Sequence, residues 1–174
     1  MLYVVGEVTG VAQLGDIVYV ICKNCPYIKM FTADTLNPLD GCIHVEGMRA
    51  PKDIVACHHD RQLYVADSIY CIWRVSASVS DGPQSYVEWL PEVFANKLSL
   101  TSRHLLVTSY QPLRLRQYST TDGQLVHEVP LPSYVKHVWH AVETTRDTFF
   151  LCHRGTPEDE NHWAVSKLSR ITAT

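Results

Sequence analysis

An all-β chain, folded as a β-propeller of about four four-stranded blades, is predicted by three observations in the 174-residue sequence. First, the chain repeats itself. The segments "GDIVYVICKNCPYIKMF", "RQLYVADSIYCIWRV", "RHLLVTSYQPLRLRQY" and "RDTFFLCHRGTPEDENHWAVSKL" each run from a polar turn into a short apolar strand, cross a polar loop and enter another strand. Second, with Tyr19, Tyr64, Leu106 and Phe150 taken as equivalent, the spacings are steady at 45, 42 and 44 residues, the length of a propeller blade. Third, apolar residues alternate with a period near two rather than 3.6. "QLYVAD" and "YCIWRV" are dense in β-branched and aromatic residues, and "LNPLDG", "DGPQS" and "TTDGQ" supply turn chemistry between strands. No stretch reads as a helix.

The predicted strands follow in chain order. The first unit has strands near 8–13, 17–21, 27–31 and 42–45, and the second near 53–57, 62–66, 69–75 and 86–90. The third has strands near 97–101, 104–108, 113–118 and 125–129. The fourth has 140–144, 148–152 and 162–168 and then runs out before a full outer strand. Residues 1–5 read as the outer strand of a preceding blade. Four blades with loose ends leave sheet edges that propellers normally remove by closing the ring, so the expectation is an arc of a larger, six-bladed ring. The repeat units span roughly 8–47, 51–91, 95–131 and 137–174.

The composition, 46% hydrophobic and 19% charged, is that of a globular domain with a packed core. A formal net charge of −3 argues against a general polyanion binder, whose affinity comes from clustered Lys and Arg. No apolar run approaches the roughly 20 residues of a membrane helix. The six cysteines are too few for a disulfide-dense scaffold, which gives a reduced, cytoplasmic chain as the default expectation.

"APKDIVACHHDRQLYVADSIYCIWRVS" resembles the NHL-type propeller repeat. It has a Pro before the first strand, an apolar first strand, "LYVAD" in the second, and an aromatic in the third. The other units keep the apolar second strand but place Cys22, Ser109 and His153 where this one has Asp67. The resemblance implies a six-bladed fold that recognises proteins or RNA, and less often an enzyme with a metal in its channel. Related lactonase-like and lyase-like propellers share the pattern, and fold alone does not transfer function.

Candidate sites follow from the repeat. "CKNC" places Cys22 and Cys25 around the loop from second to third strand, but zinc needs four ligands and no second pair exists. A redox thiolate needs a helix N-terminus or a nearby cation; Lys23 is adjacent, but no helix is predicted to supply the dipole. Free thiols, with Cys22 half buried, are therefore expected. "HHD" (His58, His59, Asp60) reads as a turn. In "KHVWHAVETT", His137 and Trp139 share one strand face at the channel mouth and His140 takes the other. Arg114 and Arg116 share a solvated face, and the loop acids Glu158, Asp159 and Glu160 read as solvated. Tyr110, Tyr134 and Trp89 supply aromatic area near the predicted rim.

The column Cys22, Asp67, Ser109 and His153 is polar after an apolar strand, as residues bonding local loop backbone would be. No nucleophile elbow, zinc-protease, Walker or dinucleotide pattern occurs, so no catalytic residue and no cofactor is assigned. The leading expectation is a protein-binding module using Asp67, Ser109, Tyr110, Tyr134, His137, His153 and Arg154, on the face of second-to-third-strand and inter-blade loops. One alternative is a channel hydrolase or lyase with a divalent metal on Asp67, His137 and His153. RNA binding is the other.

Overall fold

The computed structural model describes residues 6–69, 71–77, 85–101, 103–145, 148–156, 158–159 and 161–169. Among them are fifteen strands and no helix. The first sheet is β1 (Val8–Leu14), β2 (Ile17–Cys22), β3 (Tyr27–Thr32) and β4 (Pro38–His44). The second is β5 (Pro51–Cys57), β6 (Gln62–Asp67), β7 (Cys71–Ser76) and β8 (Tyr86–Pro91). The third is β9 (Lys97–Leu100), β10 (His104–Tyr110), β11 (Leu113–Ser119) and β12 (Leu125–Val129). The fourth contains β13 (His137–Thr145), β14 (Thr148–Arg154) and β15 (Trp163–Ser169). Every sheet is an antiparallel meander in chain order, as the short turns between alternating strands require.

Every strand predicted between residues 8 and 168 is present, and the differences lie at strand ends. β4 begins at Pro38 rather than near Cys42, because a proline is tolerated as the first residue of an outer strand. β13 begins at His137 rather than His140, and its pairing with β14 shifts register between Val138 and His140. The strand predicted at 1–5 lies outside the described residues. No described helix is long and apolar enough to cross a membrane.

The chain divides into two compact units, Met1–Ala95 and Asn96–Thr174. In the first unit, Tyr19, Ile21, Ile28, Met30 and Ile43 of the first sheet form one buried cluster with Ile54, Leu63, Val65, Trp73 and Val75 of the second. Each such side chain stabilises the fold by about 1.5–3 kcal/mol relative to exposure. The Thr9 hydroxyl donates to the Pro51 carbonyl at 2.9 Å, tying β1 to β5. In the second unit, Leu106, Leu115 and Val129 of the third sheet pack with Val138, Ala141, Phe149 and Leu151 of the fourth. There the Ser99 hydroxyl donates to the Ala141 carbonyl at 2.6 Å, and Thr108 donates to the Trp139 carbonyl at 3.4 Å. Within each unit the two sheets are stacked by the same alternation: every second side chain of one sheet turns toward the other.

Candidate binding surface at the end of the fourth sheet

The strand register of the fourth sheet brings His137, Arg154 and Trp163 side by side at one end. Trp139 is the extra residue where β13 slips against β14, and such a bulge re-aims a side chain. Its ring stacks on His137 with centroids 6.2 Å apart. Trp163 meets both rings edge-on, at 6.3 Å from His137 and 6.2 Å from Trp139. The two tryptophans remain 48% and 52% exposed, so a packed aromatic cluster is presented to solvent. The slip also corrects one expectation. His140 pairs with Cys152 and His137 with Arg154, two residues apart on β14, so His140 returns to the face of His137 rather than the opposite one.

The loop before β13 and the loop after β14 build the rest of this end. Lys136 donates its backbone N–H to the Arg154 carbonyl at 2.9 Å, and Gly155 donates to His162 at 2.8 Å. Gly155 has φ +99, and a Cβ added there would fall onto the Tyr134 carbonyl oxygen, so only glycine allows the two loops to approach. The Arg154 guanidinium donates to the Asn161 side-chain oxygen. Glu158 and Asp159 are exposed, and Asp159 accepts from the Asn161 N–H at 2.8 Å to hold the loop turn.

His153 is fully buried beneath this end. Its Nε2 lies 2.8 Å from the Ser166 hydroxyl, and Nδ1 lies 3.4 Å from the Arg154 carbonyl. Tyr134 packs 6.0 Å from the imidazole and reaches the same serine at 3.5 Å. With Nδ1 as the N–H donor to the carbonyl, Nε2 accepts from Ser166 and the pair is satisfied internally. A serine next to a histidine has the spacing of an activated nucleophile. Here the base is sealed inside the sheet and its far nitrogen meets a carbonyl rather than a carboxylate, so the arrangement serves packing.

The other expected site residues fall in different surroundings. Ser109 is buried, and its hydroxyl donates across the β10–β11 turn to the Pro112 carbonyl at 2.7 Å. Tyr110 ends β10, paired with Leu113. Asp67, in the first unit, is fully buried and accepts four hydrogen bonds. They come from the N–H groups of Arg49 (2.8 Å), Ala50 (3.0 Å) and Ile69 (3.3 Å) and from the Trp73 indole (3.3 Å). Its carboxylate clasps the loop between the first and second sheets to the end of β6, and no lone pair is directed at a ligand. The metal set of Asp67, His137 and His153 is therefore not preserved as free ligands: the first is engaged by amides and the third by Ser166. Among the described residues no three Asp, Glu, His or Cys side chains are grouped to hold a metal ion.

Arg114 and Arg116 both bond the Glu128 carboxylate, at 3.2 and 2.7 Å, on an exposed face. Arg114 and Glu128 also line a groove of about 560 Å³, together with Leu113, the segment from Val129 to Ser133, and Val135. Trp89 is not at the rim. It packs on Tyr64 of β6 with centroids 4.9 Å apart, under the Arg74 guanidinium. His59 bonds Asp60 at 2.6 Å in the exposed β5–β6 turn, where the contact lowers the Asp60 carboxyl below its ordinary range. Cys22 and Cys25 are free thiols. Burial raises the Cys22 thiol above its ordinary value, and the nearby Lys29 cation pulls it back only in part. Lys23 instead pairs with Glu7 at 2.9 Å. Trp163 is the site residue that sequence reasoning missed. The available signal was a tryptophan opening a strand directly after a polar loop, at the rim already expected to bind.

No protein-family model matches the chain, and no curated protein matches it in sequence. Solved structures do match in fold. The WD40 β-propeller domain of Doa1 is 14% identical with a TM-score of 0.64, over 85% of this chain and 48% of that one. Kuenenia stuttgartiensis hydrazine synthase is 11% identical with a TM-score of 0.69, over 97% of this chain and 47% of that one. The computationally designed Ika4 protein is 12% identical with a TM-score of 0.63, over 97% and 96%. The chain thus spans about half the length of the first two and nearly all of the third. Four successive antiparallel meanders together with these likenesses make the fold a β-propeller type.

Proposed function

We propose that this chain is a non-catalytic propeller module of the NHL type that binds a protein partner through the loop-bearing end of its fourth sheet. One observation carries the reading: Trp139, Trp163 and His137 form a half-exposed aromatic cluster beside Arg154, on strand ends rather than on a free loop. Tryptophan, tyrosine and arginine are the residues that dominate binding energy at protein interfaces. Rigid rings also lose little conformational entropy when they are covered. The NHL-type assignment rests on the "LYVAD" unit and the repeat length. Tyr134 and Arg154 complete the surface, and His153 positions Tyr134 from below.

The test is quantitative affinity capture with the wild-type chain, the double variant Trp139→Ala/Trp163→Ala, and Arg114→Ala/Arg116→Ala as a surface control. The expected outcome is a partner retained by wild type and control and reduced at least about tenfold by the double variant, with unchanged circular dichroism. Equal recovery by all three chains excludes this surface.

A further inference from the structure

The first residues of β11, the end of β12 and the loop from β12 to β13 line a groove of about 560 Å³ made wholly of second-unit residues. That volume is in the range of ligand-binding clefts. Its apolar lining is the outer layer of the core: Val129 and Val135 belong to the buried cluster of the unit, and Leu113 and Leu131 pack against it. Pro130 and Pro132 stand on either side of Leu131, fixing φ twice and biasing the residue before each toward an extended backbone. The Val135 N–H donates to the Pro132 carbonyl at 3.0 Å and closes the end of the loop. The wall is thus held in shape in advance, so little conformational freedom is lost when a ligand covers it. Pro130 and Ser133 are exposed, so the groove opens to solvent.

The charges on this wall do not balance. Arg114 and Arg116 converge on a single oxygen, Glu128 Oε2, Arg116 through Nε at 2.7 Å and Arg114 through Nη1 at 3.2 Å. The shorter contact commits Glu128 to Arg116, whose side chain is 27% exposed, against 37% for Arg114. Arg114, which lines the groove, is left as the surplus cation beside aliphatic side chains. One surplus charge on a chain of net charge −3 is too little for a phosphate backbone, which is held by several clustered cations. A carboxylate suits it, because a guanidinium presents a fork of donors matched to that group. We infer that the groove binds an extended peptide segment of a protein partner in which an Asp or Glu stands next to, or two residues from, a Leu, Ile or Val. The carboxylate pairs with Arg114 and the aliphatic side chain covers Leu113 and Leu131. Alternate side chains of an extended segment share one face, so a single strand delivers both groups. This is a second site: none of its lining residues belongs to the aromatic cluster of the fourth sheet.

A phage-displayed library of random peptides, selected on the wild-type chain, should yield sequences that carry this acidic and aliphatic pairing. One such peptide, labelled and followed by fluorescence anisotropy, should bind Arg114→Ala at least about tenfold more weakly than wild type. Glu128→Gln removes the competing carboxylate and should tighten binding about two- to fivefold, which a merely structural ion pair would not do. Ser133→Trp fills the groove with a ring and should abolish binding. Glu128 and Ser133 are exposed and Arg114 is half-buried, so all three variants should keep the wild-type circular dichroism. Trp139→Ala/Trp163→Ala should bind the peptide as wild type does, so the groove and the proposed aromatic surface fail separately. The inference is overturned if no peptide is selected, if the selected peptides lack an acid, or if Arg114→Ala and Ser133→Trp bind them as wild type does. Loss of peptide binding in the double tryptophan variant overturns it too, as does Arg114-dependent binding of oligouridylate with no binding of peptide.

Discussion

The second and fourth sheets solve the same repeat position in different ways. Near the end of its second strand the second sheet has Asp67, and the fourth has His153. Both are fully buried and polar. Asp67 gathers donors from the preceding inter-sheet loop, from its own turn and from Trp73, so the strand end is drawn shut and the tryptophan is held inside. His153 bonds Ser166 and a neighbouring carbonyl and packs on Tyr134, and the tryptophan of the next strand, Trp163, lies outside. The repeat sets the backbone, while the residue in this column decides whether the strand end is a clasp or an open rim.

The largest effect should come from Asp67→Ala. It strands buried amide and indole donors and should lower unfolding free energy by about 3 kcal/mol or more. Urea denaturation followed by circular dichroism measures it, and a loss below about 1 kcal/mol breaks the comparison, because the clasp would then be ornamental. Next is Gly155→Ala, which forces a strained positive φ and a backbone collision with Tyr134, and should cost about 2 kcal/mol while displacing the rim loop. Ser166→Ala leaves the buried His153 nitrogen without its partner and should cost about 1–2 kcal/mol, less than the Asp67 variant. Trp163→Ala should change stability by no more than about 0.5 kcal/mol despite the size of the ring removed. Loss of partner capture at unchanged stability is the signature of a rim; a large stability loss would make Trp163 another Trp73.

Much of this was legible in the sequence, for reasons that can be traced to particular residues. Alternation in "IVYVI" and "QLYVAD", bounded by turn residues, was enough to place β2 and β6, because a strand's two faces write themselves directly into a period of two. The repeat alignment set Tyr134, His137, His153 and Arg154 on the loop-bearing face with Asp67, Ser109 and Tyr110, and the strand register places His137 beside Arg154 at one end of the fourth sheet. Alternation misplaced the start of β13 and the side of His140 because the slip at Trp139 breaks it, and a bulge leaves little mark in sequence. It did not reveal that Asp67 and His153 are both internal. Polar residues after a strand look alike in sequence whether they bond a ligand or the amides of Arg49 and Ala50, residues distant along the chain. Trp163 was hidden for the converse reason: exposure depends on what covers a face, and that is a tertiary fact.

The smallest effect concerns "CKNC", the stretch whose spacing most suggests chemistry. Cys22 ends β2 in a buried cluster with Val20 and Phe31, and Cys25 lies past a turn in which Asn24 takes a positive φ. Because burial raises the Cys22 thiol pKa, the protonated form persists at neutral pH, and the nucleophilic thiolate accumulates only as pH climbs past the ordinary thiol range. Alkylation of Cys22 at neutral pH should therefore be at least about tenfold slower than that of the exposed Cys42, and should accelerate with rising pH. Fold stability should be unchanged between reduced and mildly oxidised protein. Rapid modification of Cys22 at neutral pH, or a Cys22–Cys25 disulfide formed under mild oxidation, would give this turn the redox role that its surroundings argue against. Slow modification leaves the motif as two structural thiols on either side of a turn, with Lys23 committed to Glu7 rather than to sulfur.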